Sequence, residues 1–395
     1  MPGATSLLAT RPISTVRLRA GLSGLRRAVV AGATPAARAR RHGPELRSYG
    51  PDVEVRRPTV AVPDVDGRDI PDGRIDVHTH AIAPELAAPA PGRWPSVERT
   101  APDKARIMLG GSVYRQVDDR CWSAERRLAD MDADGVAVQL VSPIPVTLSH
   151  DKPAAPAAAL CRQQNEFLAD LCGRAPDRLR ALGAVPLQDV EAAVAELRRC
   201  VRELGFAGVE IGTLVGTTEL ADPVLDPFFD EAAALGAFVL VHPVDQTLDP
   251  RAIGLGLGFG LGMPSETAIA GAGLVSRPPR RLGVTVCLAH GGGALPQILP
   301  RLDRGASLDR PGEPLPTERA RELWCDSLTY DADSLALSVR RFGADHVMCG
   351  TDYPFVVRES PAGAVLDDVD PDLAAAIGRT NALAALARVS SAPRP

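Results

Sequence analysis

From Arg74 onwards, short apolar runs rich in β-branched residues alternate with longer stretches of helical periodicity. Eight such runs follow one another: Arg74–His80, Val136–Ser142, Arg180–Leu187, Gly208–Thr213, Phe238–His242, Val284–His290, Leu323–Ser327 and Val347–Asp352. Alternation of strand-like and helix-like segments is typical of βα units, whose strands pair in parallel. Eight units predict the α/β class and a closed (β/α)8 TIM barrel.

The stretches between the runs carry signals that end helices. Asp189–Leu204 and Pro223–Leu235 are predicted helices, and Gly205 and Gly236 follow them where a left-handed residue commonly ends a helix. An open, doubly wound sheet is the alternative to the barrel. No Gly-x-Gly-x-x-Gly follows the first run, which disfavours that alternative.

Residues 1–70 differ in composition from the rest of the chain. Pro, Gly and Arg interrupt every periodic pattern there, and residues 1–60 contain 11 arginines against 3 acidic residues. We therefore expect an Arg-rich, disordered extension over residues 1–70 and a barrel domain over residues 71–395. A transit peptide, a plain disordered extension and a start codon assigned too far upstream all fit this composition.

Composition narrows the class of protein further. The chain has 395 residues, of which 45% are hydrophobic, and a net charge of −5, which argues against a nucleic-acid partner. No apolar run approaches the roughly 20 residues that a membrane span needs. The seven cysteines are odd in number, widely spaced and without a Cys-x-x-Cys pair. This pattern favours reduced thiols in a cytoplasmic protein.

Polar residues lie at the ends of several runs. His78 and His80 are two apart in the first run, so their imidazoles lie on the same face of a strand. His242 ends the fifth run, His290 the sixth and Asp352 the eighth. Because TIM barrels form their active sites at the C-terminal ends of the strands, one cavity can collect these side chains. Three or four such ligands make a zinc site, so the pattern indicates a metal centre.

This constellation resembles the amidohydrolase superfamily, and more closely its branch of metal-dependent decarboxylases around 2-amino-3-carboxymuconate-6-semialdehyde decarboxylase. The resemblance covers residues 72 to 390 or so. Beyond the histidines it is carried by the following motifs: Ser112-Val-Tyr-Arg-Gln, Met131-Asp-Ala-Asp-Gly-Val-Ala-Val-Gln, Val241-His-Pro-Val-Asp, Met263-Pro-Ser-Glu-Thr, Ala289-His-Gly-Gly-Gly and Gly350-Thr-Asp-Tyr-Pro-Phe.

The resemblance implies a site with one Zn2+. Its ligands would be His78, His80, His242 and Asp352, with a water molecule whose pKa zinc lowers to about 7. His290 matches a non-ligand histidine that takes a proton from this water and returns protons to the substrate. A structural role for His290 is the alternative, and the three glycines after it are expected to leave room for substrate or to form a tight turn.

The resemblance also implies decarboxylation without an organic cofactor. A decarboxylase must hold a carboxylate, and the planar guanidinium of arginine suits this better than lysine. Arg115 matches an arginine that binds the substrate carboxylate from the loop after the first strand. Arg301 matches one that reaches into the neighbouring subunit's site, so a homodimer would be required. The implied reaction hydrates or protonates a conjugated double bond before CO2 is lost.

Lysine is nearly absent, since Lys104 and Lys152 are the only two among 44 basic residues. Neither lies on a predicted barrel strand, which excludes a two-metal centre bridged by a carbamylated lysine on the fourth strand. Glu210 on that strand is expected to support a ligating histidine, with a bridge to a second metal as the alternative.

Two departures from the family pattern concern the pocket. Val244 stands where relatives often have tryptophan, and residues 251–262 are glycine-rich where relatives carry bulky aromatic residues. We therefore expect a remodelled pocket wall. The resulting hypothesis is a zinc-dependent, non-oxidative decarboxylase of a small conjugated or aromatic acid. A hydrolase of a lactone or amide from the same superfamily, and a barrel without catalysis, are the alternatives.

Overall fold

The computed structural model describes residues 70–277 and 283–391. Apart from Ile70, the extension predicted over residues 1–70 lies outside the described residues. The strands are β1 (Arg74–Ala81), β2 (Pro95–Ala101), β3 (Lys104–Leu109), β4 (Ser112–Asp118), β5 (Val136–Pro143), β6 (Leu179–Ala184), β7 (Gly208–Gly212), β8 (Leu214–Val215), β9 (Thr218–Glu219), β10 (Phe238–His242), β11 (Thr285–Leu288), β12 (Trp324–Asp326) and β13 (Val347–Met348). The α-helices are α1 (Ala124–Asp134), α2 (Ala154–Gly173), α3 (Val190–Arg198), α4 (Asp226–Ala234), α5 (Pro250–Gly254), α6 (Met263–Ser276), α7 (Leu295–Asp309), α8 (Pro316–Ala320), α9 (Ala332–Phe342), α10 (Pro371–Ala375) and α11 (Asn381–Ser391).

Eight strands form one parallel sheet, in the order β1-β5-β6-β7-β10-β11-β12-β13. Its first and last strands also meet. Thr79 of β1 is bridged in parallel to Tyr353, just beyond β13. The amide of Val77 donates to the carbonyl of Cys349 at 2.8 Å, and that of His80 to the carbonyl of Tyr353 at 2.7 Å. The sheet therefore closes, and the predicted (β/α)8 TIM barrel is confirmed.

The predicted runs match the barrel strands, with differences at their ends. β11 ends at Leu288 and β13 at Met348, whereas the apolar runs extended to His290 and Asp352. His290 and Asp352 have φ values of 58° and 66°, in the left-handed region that a strand cannot contain. The chain thus leaves the sheet just before each of these polar residues.

The predicted helices are also present. Asp189 caps α3, since its side chain accepts the amide of Ala192 at 3.1 Å. A π-helical segment, Arg199–Glu203, extends α3, and Gly205 follows with φ of 70°. Gly236, with φ of 60°, follows α4 in the same way. Both glycines adopt the left-handed conformation expected at a helix end.

A three-stranded antiparallel sheet, β2-β3-β4, is inserted after β1. Hydrophobic patterning does not predict it, and the segment carrying Arg115, expected to be a loop, is strand β4. Gly110 and Gly111 join β3 to β4 with φ values of 61° and 81°. Two consecutive left-handed residues are the signature of a tight hairpin, so this Gly-Gly pair is the signal that sequence analysis missed.

Strand β10 illustrates how the barrel orients its side chains. Every residue from Phe238 to His242 is buried. Phe238 and Leu240 belong to one buried cluster, which includes residues of α11, and Val239 and Val241 to another, which includes residues of α4 and α7. Because side chains alternate along a strand, His242 lies on the same face as Phe238 and Leu240.

None of the helices that the structure describes combines the length and the apolar character that a membrane-spanning segment needs.

Candidate metal centre

Three imidazole rings meet at the C-terminal mouth of the barrel. His78 and His80 come from β1, and His242 is the last residue of β10. Their ring centroids are 5.0 to 5.1 Å apart in every pairing. Asp352 lies beside them, with its Oδ1 atom 3.1 Å from Nε2 of His80 and 3.7 Å from Nε2 of His78. All four side chains are buried.

The Nδ1 atom of each ring faces an oxygen that only accepts hydrogen bonds. His78 Nδ1 donates to Asp326 Oδ2 at 2.7 Å. His80 Nδ1 donates to the carbonyl of Pro143 at 2.9 Å, and His242 Nδ1 to that of Pro243 at 2.6 Å. In the neutral tautomer with Nδ1 protonated, every Nε2 atom carries a free lone pair.

These lone pairs require a positively charged partner. The Nε2 atoms of His78 and His80 are 3.1 Å apart, and with both rings neutral their lone pairs repel each other unless a proton or a metal ion lies between them. Nε2 of His242 and Oδ1 of Asp352 are buried and have no hydrogen-bond partner within residues 70–277 and 283–391. Ligand atoms of His78, His242, His290 and Asp352 lie within 4.8 Å of one another, as do those of His80, Glu210 and His242, so the centre can hold a divalent metal ion.

The electrostatics of the site also suit a cation. Burial lowers the pKa of His80 to about 4 and holds that of His242 well below its usual value. Burial would raise the pKa of Asp352, but the neighbouring imidazoles of His80 and His78 bring it below the usual range. His78 is the exception, because Asp326 outweighs the effect of burial and raises its pKa to about 9.

Asp326 is a functional candidate that sequence analysis did not single out. It is the last residue of β12 and is fully buried. Besides the bond from His78, its carboxylate accepts the amides of His290 at 2.9 Å, Gly291 at 2.8 Å and Leu328 at 3.0 Å. It lies at the C-terminal end of a barrel strand, and the rule that selected the other polar residues would have found it.

Glu210 of β7 lies next to the histidines. Its Oε1 atom is 3.9 Å from Nδ1 of His80, and neither of its oxygens has a hydrogen-bond partner. Burial raises its pKa to about 8, so the side chain is mostly protonated at neutral pH in the absence of a metal. Glu210 therefore lies beside His80, although the distance is too long for a hydrogen bond.

His290 faces the centre from the turn after β11. Its ring centroid is 5.2 Å from that of His78 and 4.9 Å from that of His242, and its Nδ1 atom is buried without a partner. Burial, followed by the charge of His78, lowers its pKa. The ring is thus neutral at neutral pH and can accept a proton.

The three glycines after His290 form a tight, closely packed turn. A Cβ atom on Gly291 would lie 2.4 Å from Cγ2 of Thr329, and one on Gly293 would lie 2.4 Å from the carbonyl of Pro264. All three glycines have positive φ values. Gly291 and Gly293 line a cavity, but the close contacts with protein atoms are what require glycine here.

The structure places the two predicted arginines differently. Arg115 of β4 lines a cavity of about 70 Å3 that also contains His242, His290 and Asp352. Its guanidinium lies 4.4 Å over the ring of Phe355 and 5.3 Å over that of Tyr114. Among the described residues no carboxylate forms an ion pair with Arg115. Arg301 lies on α7, is exposed to solvent and lines neither this cavity nor its larger neighbour.

Fold and site together define a class: a closed parallel barrel with a histidine-rich centre at the C-terminal ends of its strands. A family model described as Amidohydrolase matches residues 75–388. Because this match covers most of the chain, the chain belongs to the amidohydrolase family. The resemblance inferred from the sequence motifs is confirmed.

Relatives of known activity define the branch. The 2-amino-3-carboxymuconate-6-semialdehyde decarboxylase of Dictyostelium discoideum is 33% identical over 311 residues, which cover 75% of this chain and 86% of the relative. The γ-resorcylate decarboxylase of Rhizobium radiobacter is 28% identical over 287 residues, covering 66% and 85%. The chain is therefore a member of the decarboxylase branch, a group of metal-dependent carboxy-lyases.

The same fold is found in solved structures. A dihydroxybenzoic acid decarboxylase from Polaromonas sp. JS666, with bound manganese and the inhibitor 2-nitroresorcinol, superposes with a TM-score of 0.64. It is 22% identical, and the match covers 80% of this chain and 97% of that chain. At this level of identity the likeness establishes the fold.

Proposed function

We propose that this protein is a non-oxidative decarboxylase of a small aromatic or conjugated carboxylic acid and that it uses one Zn2+. The proposed ligands are His78, His80, His242 and Asp352. One observation carries the proposal: among the described residues the Nε2 atom of His242 and the Oδ1 atom of Asp352 have no hydrogen-bond partner, and they converge in the cavity that Arg115 lines, where Arg115 has no acidic partner. The related decarboxylases support the reaction class.

Zinc is proposed from the chemistry of the ligands. Imidazole nitrogens with one carboxylate form catalytic zinc sites, and such ligands bind Zn2+ more tightly than Mn2+. The manganese in the Polaromonas enzyme makes Mn2+ the principal competitor. When bound, the metal supplies Lewis-acid polarisation of the substrate's oxygen atoms.

Arg115 is proposed to bind the substrate carboxylate. Its guanidinium lies over the rings of Phe355 and Tyr114. Two acidic residues line the same cavity: Asp245 accepts a hydrogen bond from Tyr114, and Asp352 lies beside His80. The guanidinium is thus positioned without being neutralised by a neighbouring acid. A planar group of this kind binds both oxygens of a carboxylate.

His290 is proposed to transfer the proton. The neutral ring accepts a proton from a substrate hydroxyl or from water. The protonated ring then delivers the proton to the carbon that bears the carboxylate, and the conjugated system becomes an acceptor for electrons. The bond to the carboxylate breaks, its electron pair restores the double bond, CO2 leaves, and solvent restores the starting state.

The test is release of CO2 from a panel of carboxymuconate-semialdehyde and hydroxybenzoate-type acids. Protein loaded with Zn2+, protein loaded with Mn2+ and metal-stripped protein are compared. We expect metal-dependent release from at least one acid, fastest with Zn2+. If no acid releases CO2 and the protein instead opens a lactone or amide in a metal-dependent way, the decarboxylase proposal is wrong. The protein is then a hydrolase of the same superfamily. If CO2 release is faster with Mn2+ than with Zn2+, the proposed metal is wrong and the proposed reaction stands.

A further inference from the structure

A second, larger cavity adjoins the metal centre at His290. Its volume is about 440 Å3, against about 70 Å3 for the cavity that contains Arg115. Phe259, Met263 and His290 line both cavities, so the two meet at these side chains. We call the larger one the apolar chamber and define it by six lining residues: Phe259, Met263, Pro264, Leu328, Tyr330 and Leu337.

The lining of the apolar chamber excludes a charged ligand group. Within the described part of the chain no aspartate, glutamate, lysine or arginine lines it, and its titratable side chains are those of His290 and Tyr330. Its polar side chains include Gln297, Thr329 and Ser334, and Gln297 and Ser334 are exposed to solvent. Removing a charge from water without a partner is strongly unfavourable, so a group bound here must be neutral.

The solvent edge of the chamber is aromatic. Phe259 is 52% exposed and Tyr330 is 53% exposed, although both line the cavity. Their rings meet edge to face with centroids 6.3 Å apart, and the Tyr330 hydroxyl donates to the carbonyl of Val357 at 3.0 Å. Phe259 belongs to a glycine-rich π-helical segment, Gly258–Gly262.

We infer that the substrate carries an uncharged apolar substituent, about the size of a phenyl ring or a short alkyl chain, that fills the apolar chamber. The substrate carboxylate lies against Arg115 at the same time. The inference rests on the proposed function, since it takes the carboxylate site from it. The volume supports this size, because cavities for small ligands measure about 300–1,000 Å3.

The test measures binding without turnover. Nitrophenols mimic hydroxybenzoates, because the nitro group has the shape of a carboxylate and cannot leave as CO2. The Kd of 2-nitrophenol is compared, on the Zn2+-loaded protein, with those of its phenyl and butyl derivatives at each ring position. We expect at least one derivative to bind about tenfold more tightly, equivalent to about 1.4 kcal/mol. If no derivative binds more tightly than 2-nitrophenol, the inference is wrong.

Filling the chamber tests where the substituent binds. L337W places an indole in the cavity. It should bring the ratio of the Kd of 2-nitrophenol to that of its tightest-binding derivative close to one. S334F, at the chamber's edge, provides a second test if L337W does not fold. L308W is the control, because Leu308 is 64% exposed on α7 and lines neither cavity. A ratio that survives in a folded chamber variant overturns the inference.

Parallel CO2 assays on the matching hydroxybenzoates separate the two proposals. If the expected Kd ratio is found but no acid loses CO2, the chamber inference stands and the decarboxylase proposal fails. If CO2 is released but the Kd ratio is one for every derivative, the chamber inference alone fails.

Discussion

The hydrogen bond between Asp326 and His78 determines which ring nitrogen of His78 faces the metal centre. D326N replaces a carboxylate that accepts four hydrogen bonds with an amide that can present an N–H to the donor of His78. Loss of such a partner typically weakens metal binding about 10- to 100-fold. We expect the Kd for Zn2+ to rise by that factor, measured by competition with a chromophoric chelator.

The control for D326N is D345N. Asp345 also faces the Nδ1 atom of a histidine, His346, at 3.0 Å, but its side chain is 82% exposed. We expect the zinc affinity of D345N to equal that of the wild type. An unchanged zinc Kd in folded D326N would show that Asp326 does not influence the centre through His78.

Arg115 offers a second prediction at the scale of a single residue. R115A removes the proposed carboxylate-binding group, and hydrogen bonds to charged groups contribute about 1.5–3 kcal/mol each. We expect kcat/KM for decarboxylation to fall about 100- to 1,000-fold and R115K to recover only part of it, because an ammonium lacks the planar fork. R106A, an exposed residue on the adjacent strand β3, is the control. Full activity in R115A would exclude the proposed role.

The turn between β11 and α7 is the element that fixes the backbone at His290. G293A adds a Cβ atom 2.4 Å from the carbonyl of Pro264 at φ of 59° and ψ of −134°, a conformation that essentially only glycine adopts. We expect the free energy of unfolding to fall by about 1–3 kcal/mol or more, measured by urea denaturation. G305A in α7 is the matched control.

Gly305 lies in a helix, and a Cβ atom there would meet nothing within 4 Å. Because alanine favours the helix more than glycine does, G305A should stabilise the protein by about 1 kcal/mol or less. Equal stability of G293A and G305A would mean that the turn adapts without cost.

The segment after β5 contains a buried histidine whose titration affects stability. Among the described residues, neither ring nitrogen of His150 has a hydrogen-bond partner, and burial lowers its pKa from 6.5 to about 4. Between these pH values the unfolded chain binds more protons than the folded one, so stability is lost as the pH falls below 6.5. The loss reaches about 2 kcal/mol by pH 5.

The variant H150N removes this contribution. We expect its urea midpoint to fall less between pH 7 and pH 5 than that of the wild type, whatever its stability at pH 7. H346N, at a histidine nearer the surface, is the control. If H150N and the wild type have the same pH dependence, His150 does not titrate as the structure indicates.

The eight barrel strands were predictable from sequence because each is buried on both faces. A run such as Phe238–His242 is therefore apolar almost throughout, and a polar residue at its end stands out. The β2-β3-β4 sheet was missed for the opposite reason. Residues such as Glu98, Arg99 and Thr100 of β2 are exposed, so no apolar run marks the strand. Only its glycine hairpin carries a local signal.

At the scale of the whole molecule, closure of the barrel brings distant residues together. His78 and Asp326 are 248 positions apart in sequence, and the shared geometry of strand ends made such encounters predictable in outline. The apolar chamber was not predictable. Phe259 and Tyr330 follow different strands. Local sequence patterns predict neither their contact nor the size of the space between them.

The role of Arg301 depends on how two copies of the chain assemble. It is exposed on α7 and has no ion pair among the described residues. We propose, as the family resemblance implies, that it completes the site of a second copy. Co-expression of two inactive variants tests this. In a mixed dimer of H290A and R301A, the site on the R301A chain combines an intact His290 with Arg301 from the partner chain. We expect decarboxylation to recover to roughly a quarter of wild type, since half of randomly formed dimers are mixed and each has one intact site. If Arg301 acted within its own chain, neither site of the mixed dimer would be complete, and activity would stay at the level of the single variants.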